Sequence, residues 1–223
     1  MNACAQPFRI KICGLSTPQT LAAALDAGAD MIGLVFHPRS PRYVSLDKAA
    51  ELAALARGRA AIVALLVDPD RTRMDEILER VRPDWLQLHG GETPAQVAAI
   101  RTAACLPVMK AVGISETGDI AAIAPYRAVA DLILLDAKPP RDAAYPGGHG
   151  RSFDWRILAG LDPALRFMLS GGLDPANVGA AIREVGPAGV DVSTGVESAP
   201  GVKDSEKITA FVAAARAAAE MTV

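Results

Sequence analysis

Lys11 and Cys13, in the run Lys11-Ile12-Cys13-Gly14, share one face of any strand that carries them, because side chains alternate with a period of two. An ammonium beside a thiol favours the thiolate, and burial in apolar surroundings does the reverse. Cys13 is therefore a candidate base or nucleophile whose charge depends on which effect wins. The other two cysteines, Cys4 and Cys105, read as small buried hydrophobes. Asp136 closes the aliphatic run Leu132-Ile133-Leu134-Leu135, where partial desolvation would raise its pKa and suit it to act as a general acid. Asp191, in Gly189-Val190-Asp191-Val192-Ser193, is a second inward carboxyl, belonging either to a site or to a structural ion pair. Arg39 and Arg42 could grip a carboxylate in a fork geometry; solvated loop arginines are the plainer alternative, and at most one is expected to face a site. Gln87 and His89 share a face and either touch a ligand or complete an internal network, the supporting role being favoured. Lys110 is a Schiff-base former or an interior charge paired with an acid.

These residues need elements to hold them. Eight short aliphatic runs recur along the chain: 8–13, 31–36, 61–67, 85–88, 108–112, 132–136, 167–169 and 190–192. Each is followed by a helical pattern: 18–27, 45–56, 70–81, 93–104, 118–125, 154–161, 175–185 and 204 to about 221. Strand and helix in strict alternation predict a parallel sheet wrapped by helices, and eight units predict a closed (β/α)₈ TIM barrel formed by residues 1–223 as one domain. The runs are apolar along most of their length, as strands covered on both faces require. Ser45, Asp70, Thr93 and Asp174 are placed to cap helix starts, and Gly28, Gly58 and Gly186 fall just past helix ends.

A barrel gives the candidate residues an address. Its active site lies at the C-terminal strand ends, where Cys13, Asp136 and Asp191 all fall, and closure sets strand eight beside strand one, bringing Asp191 toward Lys11. Glycine turns follow strands seven and eight, at Ser170-Gly171-Gly172 and Ser193-Thr194-Gly195. In this fold such turns let backbone amides approach a phosphate. The longest irregular stretch, residues 137–152, follows Asp136 and contains Pro139, Pro140 and Pro146. It is long enough to act as a lid.

Composition removes several other functions. Net charge is -2, with 23 basic against 25 acidic residues, so no nucleic-acid or anionic-membrane footprint is expected. No apolar run approaches the roughly 18 residues of a membrane span, and the first residues, MNACAQP, lack a signal pattern; a cytoplasmic location is expected. The three cysteines have neither disulfide nor metal-ligand spacing, and no metal site is expected. Aromatic content of 4% leaves the core to aliphatic side chains.

Taken in order, KICG, SPR, QLHG, LLLDA, GGHGRSFDW, LSGGLDPANV and GVDVSTGVESAPGVKD resemble the phosphoribosylanthranilate isomerase family over nearly the entire chain. The resemblance implies isomerisation of N-(5-phosphoribosyl)anthranilate by an Amadori rearrangement in tryptophan biosynthesis, without metal or cofactor. It further implies Cys13 as general base, Asp136 as general acid, Arg42 on the anthranilate carboxylate, and phosphate at Gly171, Gly172, Ser193, Thr194 and Gly195. Lys11, Gln87 and Asp191 are the remaining candidates for substrate contact. The partner expected is a small phosphoribosyl molecule, and the oligomeric state a monomer or homodimer. Two departures from the family pattern stand out: GGHG, with His149, replaces GGTG or GGSG, and VSTG, with Thr194, replaces VSSG. The alternatives are another sugar-phosphate isomerase or epimerase on the same fold, or a phosphosugar-binding protein without catalysis.

Overall fold

The computed structural model describes residues 7–139, 145, 147, 148, 150 and 152–221. Eight parallel strands close in sequence order: β1 (Arg9–Cys13), β2 (Met31–Val35), β3 (Ala61–Leu66), β4 (Trp85–Leu88), β5 (Val108–Ile114), β6 (Leu132–Ala137), β7 (Phe167–Leu169) and β8 (Gly189–Val192). β8 pairs with β1 in the register Lys11 opposite Asp191, which shuts the barrel. Around it lie α1 (Pro18–Asp26), α2 (Leu46–Ala56), α3 (Arg71–Val81), α4 (Pro94–Ala104), α5 (Val178–Val185) and α6 (Ser205–Glu220).

The helix starts follow local chemistry. Ser45 and Asp70 accept from the backbone amides of Lys48 and Arg73, and Thr93 forms a reciprocal capping box with Gln96 ahead of Pro94. Asp174 behaves differently from expectation. Its carboxylate accepts from Ala176 and Asn177 N–H and caps a turn, and the regular helix begins only at Val178. Units five and six also depart, carrying 3₁₀ segments, Thr117–Tyr126 and Trp155–Gly160, in place of α-helices. Pro125 removes an amide inside the first, and the second is only six residues long, so tighter i to i+3 bonds serve there.

Strand parity sorts the side chains. Ile10, Ile12, Ile32, Leu34, Ile133 and Leu135 pack outward against the helices, whereas Met31, Val63, Met109, Leu134 and Met168 fill the barrel axis. Lys11, Cys13, Gln87, Asp136 and Asp191 have the inward parity, so the interior is apolar toward one end and polar toward the other. A two-stranded hairpin, β9 (Glu197–Ala199) and β10 (Val202–Lys203), follows β8 and was not foreseen. Gly201, at φ +80°, makes its turn, and a Cβ there would lie 2.4 Å from the Pro41 carbonyl oxygen.

Candidate active site

At the C-terminal strand ends lies a cavity of about 760 Å³, open space at its mouth included. Its wall includes Cys13, Arg42, Gln87, His89, Asp136, Asp191 and both glycine turns, so sequence candidates from six separate segments converge there. Three candidates do not line it: Arg39, Lys110 and Lys11, the last fully buried.

Lys11 instead donates from Nζ to Asp191 Oδ1 at 2.8 Å, inside the barrel. Burial alone would lower its pKa, but Asp191 and Cys13 together more than offset that, and the pKa is raised. Burial likewise dominates at Cys13 and pushes the thiol up, with Lys11 pulling against it and Asp191 adding to the rise. Desolvation thus outweighs the Lys11 ammonium, which is already paired with the Asp191 carboxylate. Gly33 makes the room for this arrangement, since a Cβ there would meet Cys13 Sγ at 2.8 Å and Lys11 Nζ at 3.1 Å.

Asp136 is buried at the cavity wall. Its Oδ1 accepts from the Ala137 amide at 2.9 Å and its Oδ2 lies 3.2 Å from His89 Nε2. Gln87 Nε2 sits 3.0 Å from His89 Nδ1, so the imidazole bridges the Gln87 amide and Asp136. His89 thus supports the candidate acid as well as lining the cavity, and Gln87 supports His89. The Gln87 Oε1 atom is buried without a hydrogen-bond partner among the described residues. Gly147 covers this group: a Cβ on it would lie 2.7 Å from Asp136 Oδ2. Of the long segment expected as a lid, Tyr145, Gly147, Gly148 and Gly150 line the cavity, whereas Pro140, Pro146 and His149 lie outside the described residues.

Of the two loop arginines, Arg39 is exposed and Arg42 is buried against the cavity. Arg42 Nε and Nη2 donate to Glu197 Oε1 and Oε2 at 2.7 and 2.8 Å, and Nη2 also reaches Thr194 Oγ1 and the Gly148 carbonyl at 3.1 Å. Lys203 Nζ donates to Glu197 Oε1 at 2.7 Å and to the Ser193 carbonyl at 2.8 Å. Burial pushes the Lys203 pKa down to about 8, with Glu197 opposing, while Glu197, despite its own burial, is held below the usual carboxylate range by Arg42 and Lys203. The glycine turns press on each other, since a Cβ at Gly195 would stand 1.9 Å from the Leu173 carbonyl oxygen. Glu197 and Lys203 are the residues that sequence reasoning missed. The signal was present as opposite charges flanking the Ala199-Pro200-Gly201 turn, a hairpin pattern.

Lys110 leaves the list of candidates. It shares parity with the outward-facing Val108 and Val112, donates to Glu92 Oε2 and the Gly90 carbonyl at 2.7 Å, and is absent from the cavity wall, which is the paired-charge alternative. Among the described residues no cluster of three or more His, Cys, Asp or Glu could hold a metal ion, and no helix is long and apolar enough to cross a membrane.

Comparison with known proteins agrees with this geometry. The family model for N-(5'phosphoribosyl)anthranilate isomerase matches residues 10–214. The N-(5'-phosphoribosyl)anthranilate isomerase of Afipia carboxidovorans is 60% identical over 209 residues, covering 94% of this chain and 89% of that protein. The crystal structure of the Thermotoga maritima enzyme superposes with a TM-score of 0.85 at 35% identity, covering 94% and 99% of the two chains. A phosphoribosyl anthranilate isomerase solved in complex with reduced 1-(o-carboxyphenylamino)-1-deoxyribulose 5-phosphate superposes at 0.81 with 34% identity and the same coverage. With the family model spanning nearly all of the barrel and a relative at this identity, the chain belongs to the phosphoribosylanthranilate isomerase family.

Proposed function

We propose that Asp136 and Cys13 are the acid and the base with which this chain, an isomerase of N-(5-phosphoribosyl)anthranilate in tryptophan biosynthesis, carries out an Amadori rearrangement. The observation that carries the assignment is that one cavity wall holds both groups, each anchored from behind: Cys13 beside the Lys11–Asp191 pair, Asp136 on His89 and the Ala137 amide. Protonated Asp136 donates to the furanose ring oxygen as the C1–O bond breaks and an iminium forms. The Cys13 thiolate then removes the C2 proton, leaving an enolamine that tautomerises to the ketone. C2 is oxidised and C1 reduced within one molecule, so the atoms and electrons balance without an external redox partner. A thiol held up by burial makes a stronger base once ionised, which suits abstraction of a carbon-bound proton.

Arg42 takes the anthranilate carboxylate, and the turns at Gly171-Gly172 and Ser193-Thr194-Gly195 take the phosphate. The product-like ligand of the solved relative, which carries both a carboxyphenyl group and a 5-phosphate, supports this division of the cavity. Asp191 and Gln87 line the wall beneath, and Lys11 acts through Asp191 and Cys13. The setting is cytoplasmic, supported by the pathway and by the free thiols of Cys13 and Cys105. Either a monomer or a homodimer is compatible, and the Thermotoga maritima enzyme is described as dimeric.

The test is loss of anthranilate-type fluorescence on incubation with enzymatically generated substrate in the presence of a chelator. Cys13→Ser and Asp136→Asn should each lower kcat by about 10²-fold or more with the circular dichroism spectrum unchanged. Near-normal turnover in either variant would remove that residue from its role.

A further inference from the structure

The cluster under the cavity wall at the end of β8 carries an inference beyond the acid and base. Glu197 sits on the hairpin, not on a barrel strand, and its carboxylate is almost completely buried. It meets Arg42 in a bidentate fork, 2.7 Å to Nε and 2.8 Å to Nη2, and accepts a third bond from the Gly201 amide at 3.2 Å. The fork consumes the Nε edge of the guanidinium and leaves Nη1, which has no hydrogen bond among the described residues. An arginine side chain has four rotatable bonds and loses much conformational entropy when fixed. Glu197 fixes it through contacts within the protein itself, so that cost does not fall on the ligand. The charge count matters as well. Arg42 and Lys203 together face the single Glu197 carboxylate, so the cluster keeps a positive charge for an incoming anion instead of neutralising itself.

We propose that Glu197 is a positioning residue for substrate recognition: it presets the Arg42 guanidinium to receive a ligand carboxylate. The proposal rests on the reading of Arg42 as the carboxylate binder. It makes Glu197 specific to one end of the ligand, where a residue that only stabilised the barrel would affect the whole.

The experiment compares two compounds, N-(5-phosphoribosyl)anthranilate and N-(5-phosphoribosyl)aniline, which lacks the carboxylate. In Glu197→Gln the KM for the first should rise by about tenfold or more, the size of one lost charge-assisted bond, with kcat within about threefold. The KM for the aniline compound should change by less than about twofold, because nothing on it meets Arg42. Glu197→Asp keeps the buried charge balance but is one methylene too short for the same fork, and should show a smaller, equally selective rise. It also serves as the test if the glutamine variant does not fold. A rise common to both compounds, or none with either, overturns the positioning role. If the unmodified protein itself has the same KM for the two compounds, the carboxylate reading of Arg42 fails, and this proposal with it.

Discussion

At the ends of β3, β4 and β5, the Asp68 amide at 2.9 Å, the Gly90 amide at 3.0 Å and the Lys110 ammonium at 2.7 Å converge on the buried Glu92 carboxylate. At the ends of β7, β8 and β1, glycine turns without acidic side chains line the cavity itself, and the lysine there, Lys203, is shared between Glu197 and a backbone carbonyl. Both regions use the same materials: backbone amides near glycine and an ammonium with little access to water. One half has filled its anion site with its own side chain, and none of Asp68, Gly90, Glu92 and Lys110 lines the cavity. The other half directs its turns toward the space where we assign the phosphate. The difference leaves one group of strand ends with its charges already paired and the other with glycine turns that open onto the cavity. The Glu92 backbone is held as well, its carbonyl accepting from the Tyr126 hydroxyl at 2.9 Å.

The two halves should respond differently to substitution, and the largest effect should fall on stability. Glu92→Gln leaves Lys110 buried without its carboxylate. It should lower unfolding free energy in urea by about 3 kcal/mol or more while kcat stays within about twofold. An equal loss of kcat at full occupancy of the folded state would break the division between a structural and a catalytic half. Next comes Gly33→Ala on the catalytic side. The added methyl meets Cys13 Sγ at 2.8 Å and the Cys13 Cα at 3.0 Å, so kcat should fall by about 10²-fold and the melting temperature by a few degrees.

A third measurement addresses the spent ammonium of Lys11. In a Cys4→Ser/Cys105→Ser background, the rate of iodoacetamide alkylation at Cys13 should rise with pH to a midpoint above the ordinary value of 9.0, because burial favours the neutral thiol. A midpoint below that value would mean Lys11 outweighs desolvation. The smallest effect concerns Asp119, whose pKa is lowered to about 2. Burial pushes it the other way, but Lys138 and the Ser115 and Glu116 amides prevail. A depressed carboxylate contributes stability above its unfolded pKa of about 3.8 and loses it as pH falls toward 2. Asp119→Asn should therefore lower the melting temperature at neutral pH by a few degrees and lose that deficit between about pH 4 and pH 2. A deficit that persists at pH 2 would make the effect steric.

Much of the barrel was legible because strand parity and local capping need only neighbouring residues. The aliphatic runs fell within a residue or two of the observed strands, and Ser45, Asp70 and Thr93 cap the helices expected of them. The failures share a cause. Asp174 and the helix expected at 118–125 were judged by residue type, whereas the start of α5 and the 3₁₀ geometry at Pro125 depend on how the segment must turn to reach the next strand. Cys13, Asp136 and the two glycine turns could be nominated from position alone. Lys110 could not be dismissed that way, because its identity is that of a catalytic lysine and only its outward parity and its bond to Glu92 decide otherwise.

The sequence by itself determined the eight-unit alternation, the inward parity of Lys11 with Cys13, and the address of Asp136 at a strand end, since these follow from periodicities of two and of about 3.6 residues along a single chain. Strand order already brings Asp191 toward Lys11; that the two form an ion pair, and that Glu197 meets Arg42, depends on the tertiary fold. Closure of β8 onto β1 gives Lys11 to Asp191 across 180 positions, and the hairpin returns Glu197 to Arg42 across 155. Both pairings bear on neighbouring groups: the first occupies the ammonium beside the buried Cys13 thiol, and the second orients the guanidinium at the cavity wall. Coulomb energy and desolvation depend on distance and burial in three dimensions, and no spacing along the chain encodes either one.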